Sequence, residues 1–175
     1  MRPTANSVAF MRETPGIKVS SRRLLPGGRP QQSCYFTLGG GRAMSMADNK
    51  RIVQAFYDAA NRGDTEGFLG QLADDVRWTN IGSTKYSGTC VGKSDLTARL
   101  LGPLFGQLKA GIAATVHNMI AEADYVAVQL SGQSETKDGR PYNNTYCHVF
   151  RIRDGKISEV TEYLDTELVT AVFGA

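Results

Sequence analysis

The chain has 175 residues, 41% hydrophobic and 21% charged, which is the size and balance of one globular domain with room for an appendage. No apolar run approaches the roughly 20 residues that a membrane helix needs. The net charge of +3 hides a split: residues 1–45 carry seven basic residues and one acid, while the remainder carries 13 basic and 16 acidic residues.

A mildly acidic domain argues against nucleic acid as a partner, because phosphate binding draws on clustered Lys and Arg. Cys34, Cys90 and Cys147 have neither metal nor redox spacing, and an odd number does not suit a disulfide framework. With no metal cluster and no phosphate loop, neither a metal nor another cofactor is expected. A reducing, cytoplasmic setting fits.

Residues 1–45 contain four of the six prolines, the run Gly39-Gly40-Gly41 and no sustained periodicity. Their composition reads as a disordered basic extension. Two other readings compete with it. An Arg- and Ser-rich, acid-poor segment resembles a targeting peptide, although Ser21-Arg22-Arg23-Leu24-Leu25 lacks the apolar segment a twin-arginine signal requires. Alternatively, translation starts at Met44 or Met46, where the patterned domain, residues 46–175, begins.

From Asp48 onward the pattern is regular. Val53, Phe56, Tyr57 and Ala60 predict an amphipathic helix capped near Asp48. Asp64 predicts the cap of a short second helix burying Phe68, Leu69 and Leu72. Val76, Trp78 and Asn80 share one face of a strand, and Tyr86 to Gly92 reads as a loop. Ser94 then predicts the cap of a third helix, interrupted near Gly102-Pro103. Strands around 112–122 and 125–136 follow, and a turn at 137–140 leads to a closing hairpin. Thr166 to Phe173 predicts a terminal helical turn. Helices first and an antiparallel meander second make the class α+β.

The closing hairpin spans Tyr142 to Asp165 around Asp154-Gly155. Tyr146, His148, Phe150 and Ile152 share a face. A two-residue turn sets His148 on the face of Thr161. A three-residue turn with a glycine bulge sets it with Val160, Glu162 and Leu164, and one residue of slip exchanges every neighbour. The bulged form groups the apolar residues and is the expected one. Glu162 then stands in apolar surroundings beside His148, where a carboxyl needs a proton or a cation. That pair is an acid–base candidate. Cys147 points to the opposite face, which removes a Cys–His nucleophile.

The segments VQAFYDAANRGD, LADDVRW, YSGTCVGK and VFRIRDGKISEVTEYLDTELV, in this order, resemble the SnoaL-like, ketosteroid-isomerase-related branch of the nuclear transport factor 2-like superfamily. The resemblance covers residues 46–175. It implies a cone-shaped fold, with three N-terminal helices packed on a curved, mainly antiparallel sheet around an apolar pocket. It also implies homodimers formed through the sheet. The isomerase base position falls on Asn80, which cannot accept a proton at neutral pH. The oxyanion Tyr falls on Phe56, beside Tyr57, and the oxyanion Asp falls on His148. The family's polyketide cyclases resemble the chain more closely. They pair a His on the penultimate strand with an acid on the last, which match His148 and Glu162, although their acid is Asp.

The expected function is therefore a cofactor-free small-molecule pocket protein, an isomerase or cyclase that abstracts a proton next to a carbonyl of an apolar substrate. The catalytic candidates are His148, Glu162 and Asn80. The substrate-contacting candidates are Trp78, Tyr57, Phe56, Tyr146, Asn144, Phe150, Val160 and Leu164. The alternative is a non-catalytic module for hydrophobic-ligand binding or dimeric association, since a fold alone guarantees no chemistry.

Overall fold

A computed structural model describes residues 44–174. The expectations for residues 1–43 lie outside the described residues.

Helix α1 (Met46–Asn61) starts at Ser45 through a capping box. Ser45 Oγ accepts from the Asp48 N–H at 3.1 Å, and the Asp48 carboxylate accepts from the Ser45 N–H at 3.1 Å. Asp48 is thus the reciprocal partner of the cap rather than the cap itself. The helix buries Asn49, Val53, Phe56, Tyr57 and Ala59. It ends where Gly63 turns to φ +68°, a left-handed conformation that glycine adopts without a Cβ penalty. Asp64 caps α2 (Thr65–Gln71) as expected, accepting from the Gly67 N–H at 2.8 Å. Leu72 does not belong to that helix. It is buried as the first residue of β1 (Leu72–Asn80), and Phe68 and Leu69 are half-buried.

The segment expected to be a loop contains a short strand, β2 (Gly88–Val91), paired antiparallel with β1. Four residues opening on a glycine give too little alternation to be read from sequence. The third helix begins at α3 (Lys93–Leu96), and its N-cap is Gly92 at φ +82° rather than Ser94. It widens into a π-helical turn over Thr97–Leu101, closed by the Gly102 N–H on the Thr97 carbonyl, before α4 (Gly102–Phe105). Pro103 accounts for this. It has no N–H to give Arg99, and its ring crowds that carbonyl, so the turn expands by one residue.

Strands β3 (Ala113–Glu122), β4 (Tyr125–Glu135), β5 (Pro141–Arg153) and β6 (Lys156–Leu164) form the meander, and α5 (Thr166–Phe173) closes the chain. The curved six-stranded sheet runs β2-β1-β6-β5-β4-β3, antiparallel throughout except for the β1–β6 pair. The α+β class holds. Its inner face carries Val76, Trp78, Val126, Val128, Phe150 and Val160, which pack with Val53 and Phe56 of α1 into the main core.

The closing hairpin differs from expectation in its turn. Arg153 pairs directly with Lys156, so the loop is two residues, with Asp154 at φ +52° and Gly155 at φ +73°. Two positive φ values make the tight turn that suits strand twist. The extra residue sits further along, at Ser158: Ile152 pairs with Ile157, but Arg151 pairs with Glu159. Ser158 Oγ donates to the Arg151 carbonyl at 3.1 Å. This bulge shifts the register by one residue and sets Glu162 opposite His148, the pairing expected from the wrong turn.

Candidate functional site

One row across the sheet carries the polar candidates. Asn80 of β1 pairs with Glu162 of β6, which pairs with His148 of β5. Alternation turns all three toward the helices, and α1 supplies Tyr57 above them. The Tyr57 hydroxyl lies 2.8 Å from His148 Nδ1, within hydrogen-bond distance. On the other side of the ring, Nε2 lies 3.8 Å from Glu162 Oε1. That distance is too long for a hydrogen bond and becomes an ion-pair contact when the imidazole is protonated. Nε2 is buried and has no hydrogen-bond partner among the described residues. A buried polar nitrogen left without a partner costs stability.

Trp78 organises the acid. Its indole N–H is shared between Asn80 Oδ1 at 2.9 Å and Glu162 Oε2 at 3.1 Å. Glu162 thus has one oxygen tethered and the other directed at His148. Asn80, with its oxygen engaged, offers its amide nitrogen as a donor. Phe150 lies edge-on to the imidazole with ring centroids 5.8 Å apart, and Tyr146 does the same at 5.5 Å. Phe56 contacts Tyr57, Trp78 and Phe150. Val160 and Leu164 stand opposite Phe150 and Tyr146 on β6.

The other two tyrosines of this face are already engaged. Tyr146 donates to the Tyr142 hydroxyl at 3.3 Å, and Asn144 Nδ2 lies 3.4 Å from the same oxygen. Asn144 Oδ1 also accepts from the Asp165 N–H at 3.1 Å, while Nδ2 donates to the Asp165 carbonyl at 3.2 Å. Asn144 therefore staples β5 to the start of α5. Burial is the largest cause pushing the pKa values of Tyr57, Tyr142 and Tyr146 above the ordinary tyrosine range, and the Glu162 charge adds to it. These hydroxyls keep their protons.

Sequence reasoning did not single out Tyr142, whose only signal was its period-two spacing from Tyr146. It also missed Gly132 on β4. A Cβ there would stand 2.6 Å from Ile112 Cγ2 and 2.9 Å from Tyr146 Cε2, so the bare glycine seats both side chains.

A cavity of about 460 Å³ opens among α2, the π turn, α4 and residues 108–112. Its wall is mostly apolar: Phe68, Leu69, Leu101, Phe105, Leu108 and Ile112, with Asp64, Thr97 and Lys109 among the polar groups. The sequence-predicted residues do not line it. His148 is buried and Glu162 is half-buried, and neither lines the cavity. Among the described residues there is no cluster of three or more His, Cys, Asp or Glu arranged to hold a metal. No helix there is long and apolar enough to cross a membrane.

The architecture matches known proteins. A nuclear transport factor 2-like protein of unknown function from Burkholderia pseudomallei superposes with a TM-score of 0.67 at 24% identity, covering 75% of this chain and all of that one. TerC, co-crystallised with polyporic acid, superposes at 0.64 with 23% identity, covering 73% of this chain and 99% of that one. A candidate SnoaL-like polyketide cyclase from a Jannaschia species superposes at 0.63 with 18% identity, covering 78% of this chain and 99% of that one. Comparison with curated proteins found no match. The family model for the SnoaL-like domain matches residues 53–160, more than half of the chain. The chain belongs to the SnoaL-like domain family, within the nuclear transport factor 2-like fold.

Proposed function

We propose that the protein binds an apolar small molecule and moves a proton next to its carbonyl, with no cofactor, as in an isomerisation or an aldol-type cyclisation. One observation carries this reading: a buried histidine held at Nδ1 by Tyr57, with Nε2 unpartnered beside a tethered carboxylate. In the proposed step, the substrate C–H bond breaks and its electron pair moves into an enolate. The His148–Glu162 pair takes the proton at Nε2 or Oε1 and returns it at the product position. The Asn80 amide nitrogen donates to the enolate oxygen. Tyr57 holds the ring, because its hydroxyl is committed to Nδ1.

The reaction can be read on α-tetralone as a probe ketone, by NMR of hydrogen–deuterium exchange at its α-carbon. The wild-type protein is expected to accelerate exchange. Glu162→Gln and His148→Gln are each expected to lose about 10²–10⁴-fold while keeping the fold, the usual contribution of a positioned acid or base. A ketone that binds and perturbs the His148 ring signals, yet exchanges no faster than in buffer, rejects the reading. So does undiminished exchange in both variants.

A second reading, association through the sheet, has its own support. The outer face carries an uncharged row across all six strands: Thr89, Thr79, Thr161, Val149, Ala127 and Ile120. Ile120 is 61% exposed there. We assign this face to a homodimer contact, as charge-depleted patches suit interfaces. Sedimentation of wild type as a dimer and of Val149→Glu as a monomer would support it. A wild-type monomer at high concentration would remove it.

A further inference from the structure

We infer that Tyr57 fixes the hydrogen of the neutral His148 ring on Nε2, and that His148 is thereby a positioning residue behind Glu162, the one member of the pair that exchanges a proton with substrate. This deepens the proton-transfer reading and rests on it for the chemistry, whereas the tautomer belongs to the protein alone. The hydrogens decide it. Tyr57 is buried, and burial keeps the proton on its hydroxyl. Among the described residues, the hydrogen-bond partner of that hydroxyl is His148 Nδ1, at 2.8 Å. A neutral imidazole carries its hydrogen on one nitrogen and accepts at the other. With Tyr57 donating to Nδ1, the phenol hydrogen is satisfied and the ring hydrogen sits on Nε2, 3.8 Å from Glu162 Oε1. The reverse tautomer leaves the buried phenol hydrogen without an acceptor, which is costly, and sets the Nε2 lone pair against a carboxylate.

Burial separates the two roles. The His148 ring is walled by Tyr57, Trp78, Tyr146 and Phe150, with ring centroids at 6.0, 6.2, 5.5 and 5.8 Å. Its Nε2 is buried, whereas a base has to come within hydrogen-bond reach of the proton it takes. Glu162 is half-buried, and Trp78 holds its Oε2 at 3.1 Å, which leaves Oε1 for the substrate. The step then runs through the carboxylate alone. The C–H bond next to the carbonyl breaks, and its electron pair enters the enolate. The proton goes to Glu162 Oε1 and returns from the same oxygen, and no hydrogen of the imidazole moves. The Nε2–H dipole steadies Oε1 as the indole N–H steadies Oε2, so a ring whose tautomer is set by its other nitrogen orients the base.

Long-range ¹H–¹⁵N NMR of the ¹⁵N-labelled full-length protein, recorded with the ring neutral, shows which nitrogen carries the hydrogen and needs no substrate. In the wild type, Nε2 of His148 is expected to carry it. Tyr57→Phe should lower the Nε2–H fraction and slow α-tetralone exchange about tenfold, through loss of orientation. His148→Gln removes the support and leaves the base. It should therefore retain about tenfold more exchange than Glu162→Gln, since an orienting member of a catalytic group costs less on removal than a reacting one. A wild-type ring with its hydrogen on Nδ1 overturns the assignment, as does a tautomer that Tyr57→Phe leaves unmoved. Equal losses in His148→Gln and Glu162→Gln overturn the positioning role. If the hydrogen sits on Nδ1 while the wild type still accelerates exchange, the proton-transfer reading survives without this inference. If Nε2 carries the hydrogen while the wild type accelerates no exchange, the tautomer stands, and the proton-transfer reading falls together with the positioning role.

Discussion

The Tyr57 hydroxyl meets His148 Nδ1 at 2.8 Å across 91 residues of sequence. Tyr57 comes from the first helix and His148 from the penultimate strand, so the contact forms only when α1 lies on the sheet. It engages one ring nitrogen and leaves the other for Glu162 or a ligand.

Removing that hydroxyl tests its role. In Tyr57→Phe, a buried Nδ1 loses its partner, which costs about 1–3 kcal/mol. The expected result is a lower urea midpoint together with a changed balance of the two neutral imidazole tautomers, read from the ring ¹⁵N shifts. Tyr146→Phe serves as the control, because the Tyr146 hydroxyl bonds Tyr142 rather than the imidazole. It should leave the tautomer signals in place.

Trp78→Phe removes one N–H that serves both Asn80 and Glu162. The aromatic packing is largely kept, so the loss is mainly of the shared donor. Destabilisation of about 1–3 kcal/mol is expected, because Glu162 and Asn80 both lose a partner in a poorly solvated site. Glu162→Gln placed on top should add less than it does alone, since the two residues share one bond. A double-mutant cycle in urea measures this coupling, and strict additivity would contradict it.

Gly132→Ala should destabilise despite the better strand propensity of alanine. The new methyl would stand 2.6 Å from Ile112 Cγ2 and 2.9 Å from the Tyr146 ring. Overpacking of this kind costs about 1–3 kcal/mol, whereas replacing a strand glycine returns only about 0.5–1 kcal/mol. Thermal denaturation gives the net sign. A stabilised variant would show that Ile112 and Tyr146 give way freely.

Alkaline pH should unfold the protein through its buried tyrosines. Tyr57, Tyr142 and Tyr146 have folded-state pKa values raised above the ordinary value of 10.0, chiefly by burial. Their contribution is complete below pH 10, where neither state has ionised. It is lost as pH rises from there toward the folded values, because the unfolded chain releases its protons first. Each such tyrosine adds a slope of about 1.36 kcal/mol per pH unit in that window. Tyrosinate absorbance should therefore appear for these residues together with unfolding, and Tyr146→Phe should flatten the decline.

Elements governed by neighbours in sequence were legible from the sequence alone. The periodicity of α1, the Asp64 cap, the alternation of β3 to β6 and the place, though not the length, of the Asp154-Gly155 turn all arise from local sterics and local hydrogen bonds. The α+β class and the SnoaL-like family follow from those patterns together with the resemblance. Tertiary packing decided the rest. A two-residue turn alone would place Thr161 opposite His148. Glu162 stands there because the chain makes a bulge at Ser158 while burying Ile157 and Ser158 against the core, a balance between non-local contacts that no local pattern encodes. The same applies to the Trp78 tether on Glu162, the Tyr57 contact to His148, and a cavity walled by Phe68, Leu101 and Ile112 rather than by the polar row. Each joins side chains that meet only once the helices close on the sheet.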